Sequence, residues 1–125
     1  KRVNDQYGHA VGDECLKAFV RAIAPSLRSI DRFGRWGGEE FMIIAPDSDH
    51  VDLLRLSEKV LECTREIVVD VDDQKVGITV SIGVAEWHHA SFAKLVSEAD
   101  DALYRAKEEG RDRVELNLRG LRVTD

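Results

Sequence analysis

The chain has 125 residues and a mass of 14.1 kDa, and 43% of it is apolar, enough for the core of one globular domain. Acidic groups outnumber basic ones by 24 to 18, for a net charge of -6 and a pI near 5.2, a balance that argues against tracking a nucleic-acid backbone by charge. The longest uninterrupted apolar run, Phe41 to Ala45, falls far short of the roughly 20 residues of a membrane helix, and no signal-peptide pattern opens the chain; neither nucleic acid nor membrane is an expected partner.

The chain opens on KRVND without Met and reads as part of something longer. From Glu14 to Leu27 the apolar residues Leu16, Phe19, Val20, Ile23 and Leu27 recur at helical spacing, which predicts one core-facing stripe with Lys17, Arg21 and Arg28 in water. Pro25 is expected to tighten the last turns of that helix. RFGRWGGEEFMII has two apolar arms around Gly37 and Gly38, a hairpin signal with Glu39 and Glu40 at its tip. Leu53, Leu56, Val60, Leu61 and Ile67 predict a second helix running to about Val68, capped by Asp47 or Ser48. From Val76 to Val84 every even residue is apolar, the period of a half-buried strand. Phe92, Leu95, Val96, Ala99, Ala102, Leu103 and Ala106 trace a third helix that Gly110 is placed to end, and Val114 with Leu116 suggests a short last strand. Such interleaving predicts an α/β sandwich of helices packed on a mixed sheet. Cys15 and Cys63 lie in helical segments without a CxxC spacing or clustered histidines and read as buried free thiols, suited to a reducing cytoplasm.

Four constellations carry possible chemistry, and each has an ordinary structural counterpart. Gly37, Gly38, Glu39 and Glu40 form either a solvated hairpin tip or a turn that brings backbone close to a ligand and holds a hard cation with two carboxylates. Asn4, His9 and Asp13 surround YGHAVGD, where Gly8 and Gly12 separate two helical pieces. There Asp13 is either a helix cap or a carboxylate that accepts from guanine N1 and N2 while the Asn4 carboxamide donates to O6 or N7. Lys107 and Arg111, four apart with Arg105 and Arg113 nearby, either complement a helix dipole or clamp a polyphosphate. Arg28 and Asp31 read alone as a surface ion pair.

Taken in order, KxxND, YGHxxGD, RxxD five residues ahead of GGEEF, TVSIGVA at Thr79 to Ala85 and ADDALYRAKEEGR at Ala99 to Arg111 resemble the GGDEF family of diguanylate cyclases, from Lys1 to about Val114. The resemblance implies a single domain over residues 1–118 with a tail at 119–125, in which helices flank a central mixed or antiparallel sheet of the nucleotidyl-cyclase and polymerase-palm type. It implies condensation of two GTP molecules to cyclic di-GMP with release of two pyrophosphates across a twofold homodimer. Carried over residue by residue, Asn4 and Asp13 would recognise guanine with His9 as a neighbour, and Lys1, Lys107 and Arg111 would hold the phosphates. Gly37 and Gly38 would admit the triphosphate, and Glu39 and Glu40 would bind Mg²⁺ or Mn²⁺, with Glu39 deprotonating the 3′-hydroxyl. Arg28 and Asp31 resemble the family's inhibitory product site.

The family pattern continues upstream as a strand bearing DxDxF, whose first aspartate is a metal ligand, whereas this sequence begins at the following lysine. The stretch given is therefore expected to lack the first strand and to bind Mg²⁺ poorly. Asp112 stands where the family usually has Asn. An upstream sensory or receiver domain and a cytoplasmic location are further expectations. The competing reading is a catalytically degenerate domain that binds GTP or cyclic di-GMP as a receptor; an intact upstream aspartate distinguishes the enzyme.

Overall fold

The computed structural model describes residues 8–88 and 91–117. The chain divides into two compact units, one formed by Lys1–Pro46 with Glu62–Ile78 and the other by Asp47–Leu61 with Thr79–Asp125.

In the first unit, α1 (His9–Ile23) is followed by a 3₁₀ turn, Ala24–Ser26, with Pro25 in its first turn. Pro25 tightens the helix end as expected, because a prolyl nitrogen has no hydrogen to donate to an α-helical ladder. The buried face of α1 is Val11, Cys15, Phe19 and Ile23, one residue every four. Leu16 is only half-buried and Val20 is 37% exposed, so the expected stripe is rotated and these two side chains leave the core. Gly12 is buried within the continuous helix and does not interrupt it. β1 (Arg32–Gly37) and β2 (Glu40–Ile44) form the expected antiparallel hairpin. Phe33, Phe41 and Phe19 meet with ring centroids 5.2–6.3 Å apart, which fastens the hairpin to α1 through aromatic pairs that each contribute about 0.5–1.5 kcal/mol beyond their burial.

The second predicted helix is α2 (His50–Arg65), and it stops short of Val68. Its cap is neither Asp47 nor Ser48 but Asp49, whose Oδ1 accepts the Asp52 N–H at 2.9 Å while Asp52 returns a bond to the Asp49 N–H at 3.3 Å. Beyond it, β3 (Val68–Val71) and β4 (Gln74–Gly77) form a second antiparallel hairpin that the helical pattern concealed. Its loop residues Asp72 and Asp73 have φ of 47° and 65°, both positive, as a type I′ turn requires. Val11, Cys15 and Val76 make a buried cluster here, with Val69, Val71 and Ile78 packed on it. Cys15 is buried and Cys63 half-buried, both as free thiols.

In the second unit, β5 (Ile82–Val84) runs parallel to β6 (Val114–Leu116), and α3 (Phe92–Glu108) packs on both. The alternating segment from Val76 to Val84 is thus two strands, β4 and β5, with different partners. Ser91 caps α3 by accepting the Lys94 N–H at 3.1 Å. At its other end Gly110, at φ 123°, lets the Arg111 N–H return to the Ala106 carbonyl at 2.8 Å, the six-to-one bond of a Schellman cap. The described pairings are three two-stranded ladders, two antiparallel and one parallel; helices on mixed sheet pairings are the α/β architecture expected.

Candidate active site

Asp13 lies on the second turn of α1, exposed. The cap position belongs to Gly8, which makes no side-chain bond, so the capping role weighed for Asp13 is removed and its carboxylate faces solvent. It shares an open groove of about 570 Å³ with Leu16, Lys17, Val20, Arg21, Arg35 and Phe41. Apolar walls with a few polar groups suit a flat, polar-edged ring. Leu16 and Val20, which periodicity placed in the core, are wall residues of this groove, and their incomplete burial was invisible in the pattern. His9 is one helical turn before Asp13, exposed on the same side of α1.

Arg35 and Phe41, opposite each other on the hairpin, carry the groove toward the glycine turn. There the strands stop pairing at Gly37 and Glu40, leaving Gly38 and Glu39 as a two-residue loop. Gly38 has φ 53°, a value open to glycine at no steric cost. Glu39 is half-buried and Glu40 exposed. Among the described residues no group of three or more His, Cys, Asp or Glu side chains gathers to hold a metal. The Glu39 and Glu40 pair instead suits Mg²⁺, which commonly takes one or two carboxylates and completes its shell with water and substrate phosphates.

The Arg28 and Asp31 pair is more than a surface contact. Asp31 Oδ1 accepts Arg28 Nε at 3.1 Å and Nη2 at 2.8 Å, while its Oδ2 accepts the Arg28 backbone N–H at 2.8 Å. Arg28 Nη2 also reaches the Pro46 carbonyl at 2.8 Å. The Asp31 side chain is 1% exposed and that of Arg28 48%. The guanidinium bonds, with the backbone bond beside them, hold the Asp31 carboxyl below its usual range against the opposing effect of burial.

Lys107 and Arg111 belong to the second unit. Lys107 sits in the last turn of α3, but Arg111 lies past its end at φ 64°, followed by Asp112 at φ 49°, so the two do not share a helix face. Left-handed backbone is uncommon for arginine and easier for Asn or Asp, which accounts for Asp112 being tolerated where Asn is usual. Arg113 Nε donates to the Arg111 carbonyl at 3.1 Å, and Arg105 Nη2 to the Leu116 carbonyl at 2.9 Å. Those two cations are therefore committed to the fold. Lys1 and Asn4 lie outside the described residues.

Comparison with known proteins gives the family of the chain. The family model "Diguanylate cyclase, GGDEF domain" matches residues 1–113, and the chain belongs to that family. It is 34% identical over 123 residues to diguanylate cyclase A of Treponema denticola, covering 97% of this chain and 33% of that protein. Among solved structures it is similar to the diguanylate cyclase SiaD of Pseudomonas aeruginosa in complex with its activator SiaC, with a TM-score of 0.88 and 37% identity over 92% of this chain and 45% of that one. The GGDEF domain of DgcB from Caulobacter crescentus, in complex with c-di-GMP, gives a TM-score of 0.86 at 29% identity, over 91% and 69% of the two chains. The chain thus spans about a third of the length of the first of these relatives.

Proposed function

We propose that this chain is the catalytic domain of a diguanylate cyclase, joining two GTP molecules into cyclic di-GMP. The observation that carries the reading is the groove that Asp13 shares with Arg35 and Phe41, on the same hairpin whose glycine turn bears two adjacent glutamates. In each of the two condensations a 3′-oxygen bonds to an α-phosphorus, the bond from that phosphorus to the pyrophosphate oxygen breaks, and the hydroxyl proton departs. Asp13 accepts from guanine N1 and N2 while Asn4 of the KxxND motif donates to O6 or N7, an arrangement adenine cannot satisfy; His9 flanks that position. Gly37 and Gly38 let the triphosphate lie near backbone, and the motif match by itself assigns Lys1, Lys107 and Arg111 to its outer phosphates. Mg²⁺ or Mn²⁺, held by Glu39 and Glu40, would supply charge neutralisation at the phosphates, and Glu39 takes the hydroxyl proton.

One domain presents one nucleotide, so the two GTP molecules meet across a twofold homodimer, and the remainder of a longer natural protein carries the input. Arg28 and Asp31 form the site at which the product inhibits. Among the described residues no helix is long and apolar enough to cross a membrane, in keeping with a cytoplasmic catalytic domain. The test is incubation of the full-length natural protein with GTP and Mg²⁺, followed by chromatography of the nucleotides. Cyclic di-GMP and pyrophosphate are expected from the wild type and neither from Glu39→Gln; turnover retained in that variant would sink the assignment.

A further inference from the structure

The catalytic hairpin has one irregularity, and it falls beside the turn. Arg35 pairs with Phe41 and Gly37 with Glu40, so Trp36 is an extra residue in β1, a bulge of the kind that re-aims neighbouring side chains. Trp36 is 53% exposed, and the Arg35 side chain reaches along the hairpin, where its Nε donates to the Gly38 carbonyl at 2.7 Å.

That carbonyl belongs to the peptide linking Gly38 to Glu39, the central peptide of the two-residue loop. The ladder does not hold it, because pairing ends at Gly37 and Glu40, and a glycine on its N-terminal side offers no Cβ to resist its rotation. Turning that peptide would leave both strands paired while reorienting the backbone from which the Glu39 carboxylate hangs. A short bond from a charged donor opposes such a rotation. Arg35 also lines the groove beside Asp13, so it bridges the groove and the turn.

We propose that Arg35 is a positioning residue, which holds the Gly38–Glu39 peptide in one orientation and so sets the Glu39 carboxylate for catalysis; the inference rests on the role assigned to Glu39 above. The experiment compares the full-length wild type with Arg35→Ala and Arg35→Lys, reading kcat and the GTP KM at saturating Mg²⁺ together with hydrogen exchange at the Glu39 amide. For Arg35→Ala, kcat is expected to fall on the order of tenfold or more, comparable to the loss of a preorganised active-site bond, with KM within about threefold of wild type and faster exchange at Glu39. Methylguanidinium added to Arg35→Ala is expected to restore part of kcat and methylammonium none, and Arg35→Lys to remain impaired, because a point ammonium does not reproduce the planar donor. A kcat within twofold of wild type, a change confined to KM, or unaltered Glu39 exchange would each overturn the inference. A wild type that makes no cyclic di-GMP would refute the functional reading instead, and Glu39 exchange would still decide whether Arg35 holds the turn.

Discussion

Replacement of Gly83 by alanine tests the packing of the second unit at its tightest point. A Cβ built on Gly83 would lie 2.3 Å from both the Ala99 carbonyl oxygen and the Leu103 nitrogen, and 2.7 Å from the Leu103 Cα. The first two distances are about 1 Å inside ordinary contact. Those atoms are the backbone of α3, so no side chain can swing aside, and the helix as a whole must retreat from β5. The same retreat would loosen Ala102 and Ala106, both at 0% exposure. Overpacking that side chains can absorb costs about 1–3 kcal/mol; with only backbone to move, Gly83→Ala is expected to cost at least the upper end of that range, out of a typical total of about 5–15 kcal/mol. Amide hydrogen exchange across Phe92–Glu108 reads this locally, even within a longer protein, and a loss of about 3 kcal/mol accelerates exchange on the order of a hundredfold. Gly34→Ala is the control: nothing lies within 4 Å of its added Cβ, and a change within about 1 kcal/mol is expected. Exchange in α3 of Gly83→Ala within threefold of wild type would refute the reasoning.

Two further substitutions examine the first unit. Asp13→Ala removes an exposed carboxylate that caps nothing, so stability should be unchanged while the GTP KM rises by about 10- to 100-fold, the equivalent of a hydrogen bond to a charged group; steady-state kinetics showing less than a twofold rise would remove Asp13 from guanine recognition. Asp31→Asn should destabilise by about 1–3 kcal/mol at neutral pH by stripping the Arg28 pair of its charge. Because the Arg28 bonds hold the folded pKa of Asp31 below the ordinary aspartate value of 3.8, its contribution is present above that value and is lost as pH falls through the folded pKa. Stability measured against pH should therefore show the wild type and Asp31→Asn curves converging in acid, and a constant gap would show that the pair contributes through shape alone.

Much of the architecture is legible in the sequence. The α1, α2 and α3 helices and the Gly37–Gly38 hairpin each carry a periodicity or turn chemistry that local physics enforces, and the ends set by Pro25 and Gly110 follow from a missing N–H and a positive φ. The β3–β4 hairpin is not legible in the same way: Asp72–Asp73 stands between the valine-rich VVDV and the polar QKVG, and an apolar helix pattern running to Val68 obscures the first arm. At the candidate site, the glycine turn and its glutamates were readable because their spacing is local. The groove was not, because it depends on which face of α1 turns inward.

By itself, the order of residues determined the three helices, the hairpin at Gly37–Gly38, where the glycine turns fall and which motifs follow one another, since each depends on neighbours within a few positions. Tertiary packing decided the rest. It rotated the buried stripe of α1 so that Leu16 and Val20 border a groove with Asp13, split one alternating run between two ladders, and placed the Asp31 carboxylate under Arg28 away from solvent. It also directed Arg35 at the Gly38 carbonyl through a bulge. The groove, the split run and the bulge each depend on a partner distant in sequence or on the exact register of two strands, and the depth of the local Arg28–Asp31 pair depends on the packing around it; a pattern of apolar and polar positions carries no term for these.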